Sequence, residues 1–244
     1  MENLKLLAAQ QAMEYVQNDM VIGLGTGSTT SFFIDLLGEK LQAGVLEKIV
    51  GVPTSEKTAD RARALEIPLI SMTQAVDVAR TPGWLDLVVD GADEVDPQLN
   101  MIKGLGRALL REKFVEVHTQ NLVIIVDETK MVSRLGTNVP LPVEILPFET
   151  DLSIGWLGSL GCQAEQWVES DGSPVVTDNG NFLALCRFDN GISAPYDLAR
   201  RMAERPGIIE HGLFLNMASR VVVATKDGIR VLAATEISKS GGTS

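Results

Sequence analysis

Three short clusters hold the residue types that bind phosphate and move protons. The first, Gly23-Leu24-Gly25-Thr26-Gly27-Ser28-Thr29, puts small residues ahead of an apolar helix, where the backbone can turn tightly and offer N–H groups to an anion. The hydroxyls of Thr26, Ser28 and Thr29 add donors. The loop equally suits a plain strand-to-helix turn with capping residues. Its G-x-G-x-G spacing lacks the last glycine of a dinucleotide fingerprint. Val52-Pro53-Thr54-Ser55 stands where a ribose-binding acid is expected, and there is no GxxxxGK.

The second cluster, Asp90-Gly91-Ala92-Asp93-Glu94-Val95-Asp96, gathers four carboxylates in seven residues. Such crowding is costly unless the groups are solvated or employed. A polar turn is one reading. Another has Asp90 and Asp93 hydrogen-bond sugar hydroxyls and shuttle the proton that opens a ring. The spacing does not fit an EF-hand loop. The third cluster, Lys103-Gly104-Leu105-Gly106-Arg107 followed by Ala108–Lys113, sets a lysine among glycines at a helix entry, again suited to an anion. Within it Glu112, between Arg111 and Lys113, reads by residue type as a solvated glutamate. Lys130 stands past a strand end and by itself reads as a surface cation. His118 and His211 are isolated, and no metal site is expected. Cys162 and Cys186 read as small buried residues, with a zinc or redox pair as the lesser alternative.

These clusters need a scaffold, and the chain supplies an alternating one. Helix is expected at Glu2–Val16, Ser28–Leu37, Ser55–Leu65 and Gly106–Val117. Buried strand is expected at Met20–Leu24, Ile49–Val52, Leu69–Ser71, Leu85–Asp90 and Leu122–Asp127. That order specifies a parallel sheet, and the clusters fall just past its strand ends, where open parallel sheets bind ligands. After Lys130 the pattern changes. Pro140, Pro142 and Pro147 punctuate the chain, followed by helices at Asp151–Leu160 and Pro195–Arg205. Strands are expected at Ala164–Val168, Val175–Thr177 and Phe182–Phe188. A second, smaller α+β domain is placed at 137–210, with the larger one formed by 1–136 plus 211–244. Val221–Thr225 reads as a strand rejoining the first sheet, and the polar tail Ser238–Ser244 as disordered.

The 244 residues carry a net charge of -11, which argues against a nucleic-acid surface. Any phosphate site must then be a local positive focus. No stretch is apolar enough to span a membrane and no signal-peptide pattern opens the chain, so a cytoplasmic protein is expected.

In order along the chain, GLGTGST at 23–29, DGADEVD at 90–96, KGLGRALLREK at 103–113, LPVE at 141–144, VTDNGN at 176–181 and EHGLF at 210–214 resemble the type A ribose-5-phosphate isomerases. The combination of DGADE with the later KGxG and REK carries the resemblance. It implies an α/β protein, a Rossmann-like parallel-sheet domain with a smaller ferredoxin-like α+β domain, in dimers or tetramers. It also implies cofactor-free, metal-free interconversion of ribose 5-phosphate and ribulose 5-phosphate in the non-oxidative pentose phosphate pathway. Carried over, Thr26, Gly27, Ser28, Thr29, Asp90, Gly91, Ala92 and Asp93 contact substrate, as do Lys103, Gly104, Leu105, Gly106 and Lys130. Lys5 lies near the phosphate, and Glu112 is the base. The commoner third motif is KGGG; Leu105 at its second glycine is tolerable if φ stays negative.

Moving a carbonyl between C1 and C2 takes a proton from one carbon and returns it to the other through an enediolate. One partly buried carboxylate can do both, a role assigned to Glu112. Lys103 is expected to supply positive charge to the developing oxyanion, and Asp90 or Asp93 to assist ring opening. A sugar-phosphate-sensing regulator, a coenzyme A transferase and an amino-sugar deaminase are the alternatives. The first lacks a DNA-binding helix-turn-helix here, and fold alone does not exclude the others.

Overall fold

The computed structural model describes residues 2–80 and 84–234, so the tail expected at Ser238–Ser244 lies outside the described residues. The elements run α1 (Glu2–Ala12), β1 (Val21–Leu24), α2 (Ser28–Gln42), β2 (Val50–Pro53), α3 (Glu56–Ala64), α4 (Met72–Val78), β3 (Leu87–Asp90), β4 (Glu94–Val95) and β5 (Met101–Ile102). They continue with α5 (Leu109–Glu116), β6 (Leu122–Asp127), β7 (Leu141–Ile145), α6 (Thr150–Gly158), β8 (Gln163–Gln166) and β9 (Phe182–Arg187). α7 (Pro195–Ala203), β10 (Ile208–His211), β11 (Leu213–Phe214), β12 (Arg220–Thr225) and β13 (Gly228–Ala233) complete the order.

Contacts divide the chain into two units. The first comprises Met1–Gly91, Arg111–Lys130 and Met217–Ser244, and the second Ala92–Leu110 and Met131–Asn216. The span 137–210 read from the sequence lies inside the second, which also takes in 92–110, 131–136 and 211–216.

The first unit is built on a six-stranded sheet in the order β13-β12-β6-β3-β1-β2, parallel except for the β12–β13 hairpin. Every residue of β1, β3 and β6 is buried, as expected of parallel strands covered on both faces. Ile22, Leu24, Phe33, Leu37, Val89, Ile125 and Val222 form one core cluster between the sheet and its helices. The strand order turns between β1 and β3: β2 lies on one side of β1, and β3 with β6 on the other. This is a topological switch point.

The second unit carries a four-stranded antiparallel sheet, order β10-β7-β9-β8. With α6 between β7 and β8 and α7 between β9 and β10, this is the βαββαβ, ferredoxin-like arrangement. Leu141, Val143, Ile145, Leu157, Ala184, Leu198 and Met202 fill its core. A small antiparallel sheet, β11-β5-β4, belongs to the same unit.

Several expected elements differ. Leu69–Ser71 is not a strand: Leu69 makes one parallel bridge to Gly51, and Ser71 then caps α4 through a reciprocal box with Gln74. Val175–Thr177 reduces to a single bridge, Val176 to Phe182. The third-cluster helix begins at Leu109 rather than Gly106, because Arg107 takes a left-handed φ of 67°. The first helix ends at Ala12, with a 3-10 turn at Met13–Tyr15. Cys186 is buried but Cys162 only half-buried. The Cys162 thiol donates to Leu157 O at 3.2 Å; the nearby Cys186 holds the Cys162 thiol below its usual range, while Cys162 and burial push that of Cys186 up.

Candidate functional site

In the first unit, parallel pairing lines up the carboxyl ends of three strands. Leu24 of β1 stands beside Val89 of β3, and Asp90 pairs with Ile124 of β6. The loop after β1, the Asp90-Gly91 pair and the turn Glu128–Lys130 after β6 therefore share one edge of the sheet, on both sides of the switch point. Asp90 is fully buried. Its Oδ1 accepts the N–H of Thr26 at 3.0 Å and of Gly91 at 2.6 Å, and the Thr30 hydroxyl at 3.4 Å. A Cβ on Gly25 would sit 2.1 Å from Asp90 Cγ, so only glycine lets the loop come this close.

Thr26 has its hydroxyl within a buried cluster formed with Thr54 (2.8 Å), Ser55 (2.8 Å) and Thr58 (3.2 Å). The Thr58 hydroxyl in turn bonds the carbonyl of Gly25 at 2.9 Å. This cluster, which holds the loop's shape, was not anticipated. Its sequence signal is the Ser55-x-x-Thr58 spacing, since Ser55 also accepts the Thr58 N–H as the cap of α3. Gly27 then takes a φ of 129° as the residue before α2 and provides no side-chain cap, leaving the first turn to be met by other groups. Gly27 and Ser28 are exposed and Thr29 half-buried. Lys5 of α1 donates to Ser28 Oγ at 2.8 Å, which brings a cation to that helix terminus.

Glu112 sits in the first turn of α5 and is only 3% exposed, contrary to the solvated side chain its neighbours suggest. The burial follows from helix geometry. Residues three apart share a face, and Val115, one turn on, packs on β1 so closely that a Cβ on Gly23 would meet it at 2.9 Å. The far end of α5 meets the start of β3, where His118 O accepts the Leu85 N–H. The turn bearing Glu112 consequently lies toward the carboxyl ends of the strands. Its neighbour Arg111 pairs instead with Glu56, at 2.8 Å at the start of α3, and that hydrogen bond and charge hold the Glu56 carboxyl below its usual range.

The remaining candidates belong to the second unit. Asp93 Oδ2 accepts the N–H of Leu105 at 2.9 Å, tying the DGAD stretch to the lysine-glycine loop. Lys103 is buried, and its Nζ lies 5.4 Å from the centre of the Phe214 ring. Gly104 has a φ of 112°, while Leu105 is not among the residues with positive φ, which meets the condition set on that side chain.

The other two carboxylates of the cluster serve the backbone. Glu94 is buried and accepts N–H groups of Gly136 (2.5 Å), Asn138 (2.6 Å) and Val139 (3.1 Å). Asp96 accepts those of Gln98 (2.8 Å) and Asn100 (2.9 Å). Among the described residues no group of three or more His, Cys, Asp or Glu could hold a metal, and no helix is long and apolar enough to cross a membrane. His211 is buried within its sheet, Nδ1 accepting the Leu213 N–H at 3.3 Å.

Comparison with known proteins gives one answer. The family model described as ribose 5-phosphate isomerase A (phosphoriboisomerase A) matches residues 50–228. The ribose-5-phosphate isomerase A of Roseiflexus castenholzii is 46% identical over 232 residues, covering 95% of this chain and 96% of its own. That of Pyrococcus horikoshii is 44% identical over 233 residues, covering 95% and 98%. A D-ribose-5-phosphate isomerase solved in complex with phospho-erythronic acid superposes with a TM-score of 0.89 at 42% identity, covering 95% of this chain and 98% of its own. Ribose 5-phosphate isomerase from Plasmodium falciparum gives 0.89 at 34%, covering 96% and 99%. The chain belongs to the ribose 5-phosphate isomerase A family, isomerases that interconvert ribose 5-phosphate and ribulose 5-phosphate.

Proposed function

We propose that Glu112 is the base of this isomerisation. On the open-chain aldose its carboxylate takes the C2 proton, and the electron pair moves into a C1–C2 double bond to give an enediolate. The O2 proton passes to O1, and Glu112 returns its proton to C1, leaving the carbonyl at C2. The balance closes without an external redox partner, so no cofactor is assigned. The observation that carries the assignment is a carboxylate 3% exposed in the helix turn nearest the carboxyl edge of a parallel sheet.

Lys103 supplies fixed positive charge to the developing oxyanion. Asp90 and Asp93 orient the sugar hydroxyls and assist ring opening, with Gly91 and Ala92 as the backbone between them. The stretch Thr26–Thr29 with Lys5 receives the phosphate: the exposed Gly27-Ser28 turn, the α2 terminus and the Lys5–Ser28 bond support this. Lys103–Gly106 and Lys130 complete the substrate contacts. The solved relative in complex with phospho-erythronic acid makes that compound the natural probe for this chain. We place the enzyme in the cytoplasm as a homo-oligomer, dimer or tetramer.

The test is Glu112→Gln, which keeps shape and removes the base. Isomerisation of ribose 5-phosphate, followed by a coupled assay with a chelator present, is expected to fall roughly 100-fold to 10,000-fold. Near wild-type turnover in this variant would end the assignment. Wild-type activity that needs an added divalent ion would overturn the metal-free mechanism.

A further inference from the structure

We propose that Arg107 is a positioning residue, which fixes the Lys103–Gly106 loop by clasping Glu169 and stacking on Trp167. The proposal rests on the reading that this loop contacts the sugar phosphate. Four observations carry it, all within the second unit.

Arg107 holds a φ of 67°, in the left-handed region that favours glycine, so its side chain is kept there against a backbone preference. Its N–H closes the loop on the carbonyl of Gly104 at 2.9 Å. Its guanidinium grips both oxygens of Glu169, Nη1 to Oε1 at 2.5 Å and Nη2 to Oε2 at 3.1 Å. The same guanidinium carbon lies 5.2 Å from the centre of the Trp167 ring.

The anchor is itself rigid. Trp167 donates to Leu183 O at 2.8 Å and accepts from Val175 N at 2.9 Å, and Glu169 closes a turn with Ser173. Both charged side chains are about two-fifths exposed, so solvent screens the ion pair. What a forked, stacked guanidinium adds instead is direction. It fixes where the chain leaves Gly106, while Asp93 fixes the Leu105 N–H from the other side. The loop is thus clamped at both shoulders.

Arg107→Gly separates positioning from stability, because glycine removes the clasp and also suits the left-handed backbone. That variant is expected to melt no lower than the wild type, yet its kcat/KM on ribose 5-phosphate should fall roughly tenfold through loop misplacement. Glu169→Gln should lower kcat/KM in the same direction, and the double variant no further than Arg107→Gly alone. Arg107→Lys, with charge but no fork, should recover only part. Amide hydrogen exchange at Leu105 should quicken in Arg107→Gly. Wild-type kcat/KM, or wild-type exchange at Leu105, in that variant overturns the proposal. A wild-type protein inactive on ribose 5-phosphate overturns the functional reading instead, and the exchange measurement still decides whether Arg107 holds the loop.

Discussion

At the scale of single residues, the site depends on places where a side chain is missing. Gly25 gives its space to the Asp90 carboxyl, which is pinned by two backbone N–H groups and cannot swing aside. Adding one methyl group at 25 must move either the loop or the buried acid. Gly25→Ala is therefore expected to cost about 1–3 kcal/mol of stability and to reduce isomerase activity with it. Urea unfolding and the coupled assay measure the two, and unchanged values in both would contradict the packing described. Residue identity was the least legible level in advance. Glu112 sits between Arg111 and Lys113, and its type and neighbours point to solvent. Its burial comes from the side of α5 it shares with Val115, which depends on packing distant in sequence. Only the resemblance marked it out.

At the scale of elements, the legible parts were those whose pattern is local and strong. The run Leu122–Asp127 is apolar and β-branched, and it forms the strand expected of it with the same bounds. The strand β7 was hidden because Pro142 stands inside it, and proline lowers any strand expectation. It is tolerated near the strand's start, where its carbonyl still accepts the Gly212 N–H at 2.8 Å while β10 pairs from Val143 onward. The two-residue strands β4, β5 and β11 carry too little pattern to read. The structure also joins two of the motifs behind the resemblance. Glu144 of LPVE is fully buried and accepts from Thr177 (3.0 Å), Asn179 (3.1 Å) and Asn181 (2.8 Å) of VTDNGN. These stretches thus serve to brace the turn before β9. Glu144→Ala leaves three donors without their acceptor and is expected to destabilise by about 3 kcal/mol or more. Thermal unfolding measures it, and Glu144→Gln, which keeps one oxygen, should lose less.

At the scale of the molecule, composition and fold pull in different directions. A charge of -11 repels itself in any compact state, while the proposed substrate is an anion. The first unit meets this locally, with Lys5 brought to the α2 terminus. The general repulsion remains, and salt screens it. Raising sodium chloride from low to near-molar concentration is thus expected to lift the melting temperature by about 2–4 °C. A fall would mean that surface ion pairs outweigh the net charge.

The strand β12, formed near the end of the chain, lies between β6 and β13 in the six-stranded sheet. During synthesis, β6 leaves the ribosome roughly a hundred residues before the partner that covers it, at about 5–20 residues per second. For several seconds a nascent chain therefore presents an unpaired strand edge flanked by five apolar side chains, Leu122–Val126, the kind of surface that recruits chaperones or joins another unfinished copy. Translation stopped after residue 127 but short of residue 220 would release that edge permanently, so even a late premature stop should yield aggregate rather than a shortened enzyme.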